Sequence, residues 1–96
     1  MKEIVLKFDK SRSTVSGNDY GRNVFEQQVA PFHNEDEAIC VVFPDTIELV
    51  SMSFAQGFIH DIAEKYGLKN TGKILKFKST QKRVVDRFLE AIEHYD

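Results

Sequence analysis

The order of apolar and polar positions predicts a chain organised around one strand–turn–helix unit. Its strand is the apolar run at residues 38–43, which is rich in β-branched residues and is closed by Pro44. Such a run is typical of a strand buried on both faces of a sheet. The following helix is amphipathic, because Phe54, Phe58 and Ile62 recur every four residues.

The turn that joins this strand to this helix is the first candidate for a functional site. A short segment at residues 46–50 leads into it, and the turn itself is residues 51–53. Ser53, with Gln56 three residues later, fits a capping box that would start the helix. Gly67 fits the left-handed position just past the end of the helix.

The N-terminal residues predict a strand followed by a polar connection. Residues 2–9 alternate between apolar and polar side chains, which indicates a half-buried strand near a sheet edge. Residues 10–18 are mostly polar and predict a loop, or a short hairpin arm around Thr14 and Val15.

The first helix is predicted at residues 19–32. Ser16 with Asp19 fits a capping box at its start. Pro31 should end or kink it, because proline cannot continue the hydrogen-bonded backbone. Gly21 lies on the apolar stripe and permits close approach of another backbone. The apolar stripe consists of Val24, Phe25, Val29 and Phe32.

The C-terminal third predicts a loop, a strand and a helix. Residues 68–72 indicate the loop, and residues 73–78 alternate as a strand with a basic outer face. Ser79 or Thr80 can cap a last helix that runs to about His94. The inward positions of this strand and helix are Leu75, Phe77, Val84, Val85, Phe88, Leu89, Ile92 and Tyr95.

The order β-α-β-(β)-α-β-α predicts an α/β fold. We expect a small mixed sheet of about four strands, packed by about three helices, in a single domain spanning residues 1–96. Right-handed connections would place the helices of parallel β-α-β units on the same face of the sheet. The sequence contains no internal repeat and no low-complexity linker.

Residues 47–55, which read Ile-Glu-Leu-Val-Ser-Met-Ser-Phe-Ala, resemble the STAS-like domain family of unknown function. Members have a hydrophobic strand, a segment ending in Ser-x-Ser-Phe-Ala, and then a helix. The stretch from Tyr20 to Arg22 is also similar to that family, and the likeness covers roughly residues 19–92. More distantly, the chain resembles the STAS domain of anti-sigma-factor antagonists, in which a serine of the corresponding turn is phosphorylated by a partner kinase.

This resemblance implies a regulatory module that acts by protein–protein contact, with a serine kinase of the anti-sigma type as a partner. The candidate contact or phosphorylation residues are Ser51, Met52, Ser53 and Phe54. In the distant alignment Met52 stands at the phosphorylated serine and Phe43 stands where an aspartate often ends the central strand. Only Ser51 and Ser53 therefore remain as hydroxyls in the turn, and plain helix capping is the competing explanation for both.

A second candidate site is Gly21 with Arg22. Arg22 could hold a phosphate or carboxylate through two hydrogen bonds, which suggests binding of a small anion or nucleotide between the first two helix N-termini. The competing explanation is a solvated arginine, or an ion pair with Glu26 four residues later.

Charge is uneven although the net charge is only -2. Residues 34–67 carry seven acidic residues and one lysine, whereas residues 68–88 carry seven basic residues and one aspartate. The basic block could bind nucleic acid, an acidic partner or the acidic block of another copy, or could be a solvated face. The net charge argues against binding of nucleic acid, and the sequence shows no aromatic platform on which bases could stack. The candidate basic face comprises Lys73, Lys76, Lys78, Lys82, Arg83 and Arg87.

Catalysis and cofactor binding have no support in the sequence. No nucleophile motif, glycine-rich phosphate loop or zinc-ligand spacing occurs, so we predict no enzyme activity, cofactor or metal. Cys40 is the single cysteine and is most simply a small core residue. No apolar run is long enough to cross a bilayer, and the N-terminus lacks a signal peptide, so we expect a cytoplasmic protein without a membrane partner.

Overall fold

Two small parallel sheets and four helices form the fold in the computed structural model, which describes residues 1–94. The chain therefore has the predicted α/β class. A single 3-10 turn, Ala30–Phe32, follows the first helix. In chain order the elements are β1 (Lys2–Val5), β2 (Thr14–Val15), α1 (Asn18–Gln28), β3 (Ile39–Val42), β4 (Leu49–Val50), α2 (Met52–Tyr66), α3 (Leu68–Ile74), β5 (Leu75–Lys78) and α4 (Lys82–Glu93).

The strands differ from the predicted single mixed sheet. β1, β3 and β5 form one parallel sheet in that spatial order, and β2 pairs with β4 in a separate parallel sheet. The hairpin arm predicted around Thr14 and Val15 is therefore wrong. β2 and β4 each lead directly into a helix and run in the same direction, so they align as parallel neighbours.

Only one face of the three-stranded sheet is covered by helices. Ile4, Val41 and Phe77 lie side by side in register and point toward the core, and their neighbours Glu3 and Cys40 point away from it. The prediction that residues 38–43 are buried on both faces is therefore half correct. Ile39 and Val41 are buried, whereas Cys40 and Val42 are partly exposed on the open face.

An aromatic cluster fills the space between this sheet and the helices. Phe58 of α2 lies at the centre of this cluster and is fully buried. Its ring centroid lies 5.5 Å from that of Phe25, 5.4 Å from that of Phe88 and 6.1 Å from that of Phe77. Phe77 and Phe88 stack at 4.2 Å, which joins β5 to α4. The cluster thus connects α1, α2, α4 and the sheet into one core.

Helix boundaries and two predicted apolar positions need correction, and the first of these positions is Phe32, which is 55% exposed after α1. α1 ends at Gln28, before the 3-10 turn that contains Pro31. The loop predicted at residues 68–72 is helix α3, whose Thr71 hydroxyl donates to the carbonyl oxygen of Gly67 at 2.9 Å. Leu89 of α4 was expected inside but is 53% exposed. The predicted inward position Tyr95 lies outside the described residues.

Candidate functional site

The turn between β4 and α2 begins at Ser51, which is the N-cap of α2. Its Oγ accepts a hydrogen bond from the backbone N–H of Phe54 at 3.0 Å. The sequence predicted Ser53 as the cap, so the start of the helix is shifted by two residues. Ser51 is half-buried, and its hydroxyl is already used in satisfying a helix N-terminus.

Ser53 links the N-terminal ends of α1 and α2. Ser53 is exposed, and its Oγ lies 3.1 Å from the Oγ of Ser51 and accepts a hydrogen bond from the backbone N–H of Gly17 at 3.3 Å. Gly17 is the N-cap of α1 and has a φ of 102°, which explains why a glycine precedes this helix. The capping box predicted for Ser16 and Asp19 is absent, because α1 has no side-chain cap.

The other two turn candidates point into the protein rather than out of it. Phe54 is 0% exposed and its ring lies 5.4 Å from that of Tyr20 in an edge-to-face arrangement. Met52 is partly buried and packs against the same core. Phe54 is therefore a core residue and leaves the set of exposed contact candidates, while Ser53 is the exposed member of the turn.

Two glycines allow α1 and α2 to approach each other closely enough to form this site. A Cβ added to Gly21 would lie 2.1 Å from the carbonyl oxygen of Phe54, and one added to Gly57 would lie 2.0 Å from that of Asn18. The close approach predicted for Gly21 is confirmed. The same role of Gly57 was not predicted, because a glycine inside an amphipathic helix carries no other sign of a backbone contact.

Arg22 binds a residue of α2 instead of facing the turn. Its Nη2 donates to the Oδ1 of Asp61 at 3.5 Å, so the expected pairing with Glu26 does not form. A shallow hollow of about 290 Å³ beside Arg22 is lined also by Asp19, Asn23 and Glu26. Two of these are carboxylates, which disfavour an anion. Gly21 and Arg22 thus serve the helix–helix contact.

The C-terminal helix contacts the backbone just before the turn. The Nε of Arg87 donates to the carbonyl oxygen of Val50 at 3.1 Å, and Arg83 lies 3.9 Å from Glu48. These contacts could not be read from the sequence because the partners are separated by more than thirty positions. They hold β4, and with it the turn, against α4.

The six candidate basic residues do not form one uninterrupted surface. They are distributed over α3, β5 and α4, and the charges of four of them are paired with carboxylates at 3.7–3.9 Å. Such partial neutralisation lowers the positive field that nucleic-acid binding requires. The paired residues are Lys78 with Glu3, Lys82 with Asp86, Arg83 with Glu48, and Arg87 with Glu90.

Two side chains outside the turn have a shifted pKa. Burial raises the pKa of the Cys40 thiol, with a further increase from Glu3, and Lys78 acts in the opposite direction. Hydrogen bonds from Ser11 lower the pKa of the Asp9 carboxyl, which lies in the exposed loop after β1. Neither group belongs to the turn between β4 and α2.

The described part of the chain contains neither a candidate metal site nor a candidate membrane-spanning helix. Within residues 1–94, no group of three or more His, Cys, Asp or Glu side chains could hold a metal ion. None of the helices in the same range is both long enough and apolar enough to cross a membrane.

Comparison with known proteins adds no assignment. No family model, no curated protein and no solved structure matches this chain. The geometry of the turn and its surroundings is therefore the basis for a functional proposal.

The cap assignment makes a direct prediction about stability. We expect Ser51→Ala to lower the free energy of unfolding by about 1 kcal/mol, because the Phe54 N–H loses its partner. Ser53→Ala should cost only about 0.5 kcal/mol, since its bond to Gly17 is long and exposed. Urea unfolding of both variants measures the difference. The opposite ranking would make Ser53 the functional cap.

Proposed function

We propose that this protein is a regulatory module that binds another protein through the turn at residues 51–53 and the adjoining start of α1. The observation that carries the proposal is the position of Ser53. Ser53 is an exposed residue on the first turn of α2, and its hydroxyl contacts Gly17 at the start of α1. A single side chain thus lies on the border between two helix N-termini.

Phosphorylation of Ser53 is the proposed control. A phosphate group would add about -1.5 to -2 charges and three acceptor oxygens at a position where two helix N-termini are positive. The protein would tolerate the modification, because backbone N–H groups at both helix ends can donate to it. A partner that contacts the neutral turn would meet a new charge and would be released.

Ser51 is the poorer target for such a modification. Its hydroxyl is half-buried and already accepts the bond from Phe54. The more distant likeness to the STAS domain of anti-sigma-factor antagonists supports a kinase as the modifying partner. The exposure of Ser53 supports this residue, rather than Ser51, as the modified serine.

Capture from a native cell extract tests this proposal. Wild type, Ser53→Ala, Ser53→Asp and the control Gln27→Glu are immobilised in parallel, and captured proteins are identified by mass spectrometry. Gln27 is exposed on α1, nearly three turns beyond Gly17, so its variant adds the same charge elsewhere. We expect one protein to be retained by wild type, Ser53→Ala and Gln27→Glu and to be lost with Ser53→Asp.

Other outcomes would contradict the proposal. Equal capture by Ser53→Asp would show that charge at the turn has no regulatory effect. If no variant captures a protein, a thermal-shift screen with phosphate and nucleotides follows. A ligand at 100 times its dissociation constant should then stabilise the protein by about 2.7 kcal/mol, which would favour the small-anion function instead.

A further inference from the structure

A second binding feature lies at the outer edge of β5, on another element than the turn. β5 is the last strand in the order β1-β3-β5, so within residues 1–94 it pairs only with β3. The Phe43 N–H donates to the Lys78 carbonyl oxygen at 2.9 Å, which shows that the peptide groups of Lys78 face β3. Because these groups alternate in direction along a strand, the N–H and C=O of Phe77 face outward.

At the opposite edge of the sheet, one side chain covers the backbone just beyond β1. The Lys7 N–H donates to Oε1 of Gln28 at 2.7 Å, and the Nε2 of Gln28 donates to the Lys7 carbonyl oxygen at 2.9 Å. The side-chain amide of Gln28 thus makes the two hydrogen bonds that a neighbouring strand would make with Lys7, just beyond β1. Within residues 1–94 no comparable contact reaches Phe77, so its outward peptide groups are unpaired.

One apolar side chain of α4, the helix that packs on β5, is exposed. Leu89 of α4 is 53% exposed, although the neighbouring Phe88 stacks on Phe77 of β5. Leu89 shares a helix stripe with Ile92, which lies 3.9 Å from a Cβ built on Gly72, just before β5. This stripe therefore lies toward α3, the helix that leads directly into β5.

The charges on β5 decide which strand can be added. Lys76 and Lys78 are exposed on the open face of the sheet. The Nζ of Lys76 donates to the Gly72 carbonyl oxygen at 2.8 Å, and the Nζ of Lys78 lies 3.8 Å from Glu3 in an exposed ion pair that an incoming carboxylate would share. Pairing of β5 with β5 of a second copy would place lysine opposite lysine, because directly opposite residues of antiparallel strands share a face. Lysines on an edge strand oppose such self-pairing. An incoming strand with acidic residues at alternate positions would instead place a carboxylate beside each lysine.

We propose that the outer edge of β5 binds an extended segment of a partner protein in which acidic residues alternate with aliphatic residues. Its backbone would pair with the N–H and C=O of Phe77. Its carboxylates would lie on the open face beside Lys76 and Lys78, and its aliphatic side chains would lie on the helix face beside Leu89. This is strand addition to an exposed sheet edge, in which the backbone gives affinity and alternate side chains give specificity.

Peptide titration of the whole protein tests the proposal. The probe is acetyl-Glu-Val-Glu-Ile-Glu-Val-Glu-amide, and a second peptide has lysine in place of every glutamate. Backbone amide NMR shifts map the site, and we expect the largest change at the Phe77 amide. Lys76→Glu/Lys78→Glu should weaken binding of the acidic peptide by about five- to thirtyfold and should strengthen binding of the lysine peptide. The matched control Lys65→Glu/Lys69→Glu reverses two exposed lysines of α2 and α3.

Four results would overturn this assignment. The acidic peptide could fail to bind at millimolar concentration, could shift amides at residues 51–53 instead of β5, or could bind both double variants equally. A concentration-dependent dimer of the wild-type protein with shifted β5 amides would also overturn it, because a second copy would then occupy the edge.

Discussion

Replacement of Phe58 by alanine is expected to lower the free energy of unfolding by about 3–5 kcal/mol. Phe58 is fully buried, and its ring lies within 6.4 Å of the rings of five other phenylalanines. Removal of this ring leaves a cavity that the surrounding helices and sheet cannot all close at once. For a domain of this length, 1 kcal/mol shifts the melting temperature by about 4–8 °C, so Phe58→Ala should melt far below wild type.

Phe32→Ala is the matched control for this prediction. Phe32 is 55% exposed at the end of the 3-10 turn, so the same chemical change should alter stability by about 0.5 kcal/mol or less. Thermal unfolding followed by circular dichroism compares the two variants. Similar melting temperatures for Phe58→Ala and Phe32→Ala would show that the aromatic cluster is not the centre of the core.

Hydrophobic periodicity predicted the helices and strands whose formation is determined by the residues within them. The apolar run at residues 38–43 contains β3, and the four-residue spacing of Phe54, Phe58 and Ile62 lies within α2. Helix α3 was missed because Asn70 and Gly72 usually favour turns. In the structure the Asn70 side chain donates to the carbonyl oxygen of Tyr66 at 2.8 Å, within the turn that begins this helix. Its helical state is thus supported by local contacts that residue type alone does not predict.

The candidate site was located by sequence only in part. The serine-rich turn was correctly placed before a helix, but the roles of its two serines depend on α1. The bond from Gly17 to Ser53 joins positions 36 residues apart, and such a contact has no signal in one sequence. Arg22 similarly pairs with Asp61, which is 39 residues away, because the helix crossing brings them together.

The helix crossing also gives the last prediction, which concerns Gly57→Ala. We expect this substitution to lower the free energy of unfolding by about 3 kcal/mol, because the added Cβ would lie 2.0 Å from the carbonyl oxygen of Asn18. This contact is with backbone, so no side-chain rotation can relieve it, and α1 must move away from α2. Gly72→Ala is the control, since its Cβ would meet nothing closer than 3.9 Å and alanine favours a helix by about 1 kcal/mol.

The same pair of variants links the fold to the proposed site. If α1 moves away from α2, the Gly17 N–H should lose the Ser53 hydroxyl and should exchange faster with solvent. Gly72→Ala should leave this exchange rate unchanged, because Gly72 lies in α3, well away from both helix N-termini. Hydrogen exchange read by NMR at Gly17 therefore separates two explanations. Faster exchange only in Gly57→Ala would show that the glycine crossing positions Ser53, whereas unchanged exchange in a destabilised Gly57→Ala would show that the turn holds its geometry without it.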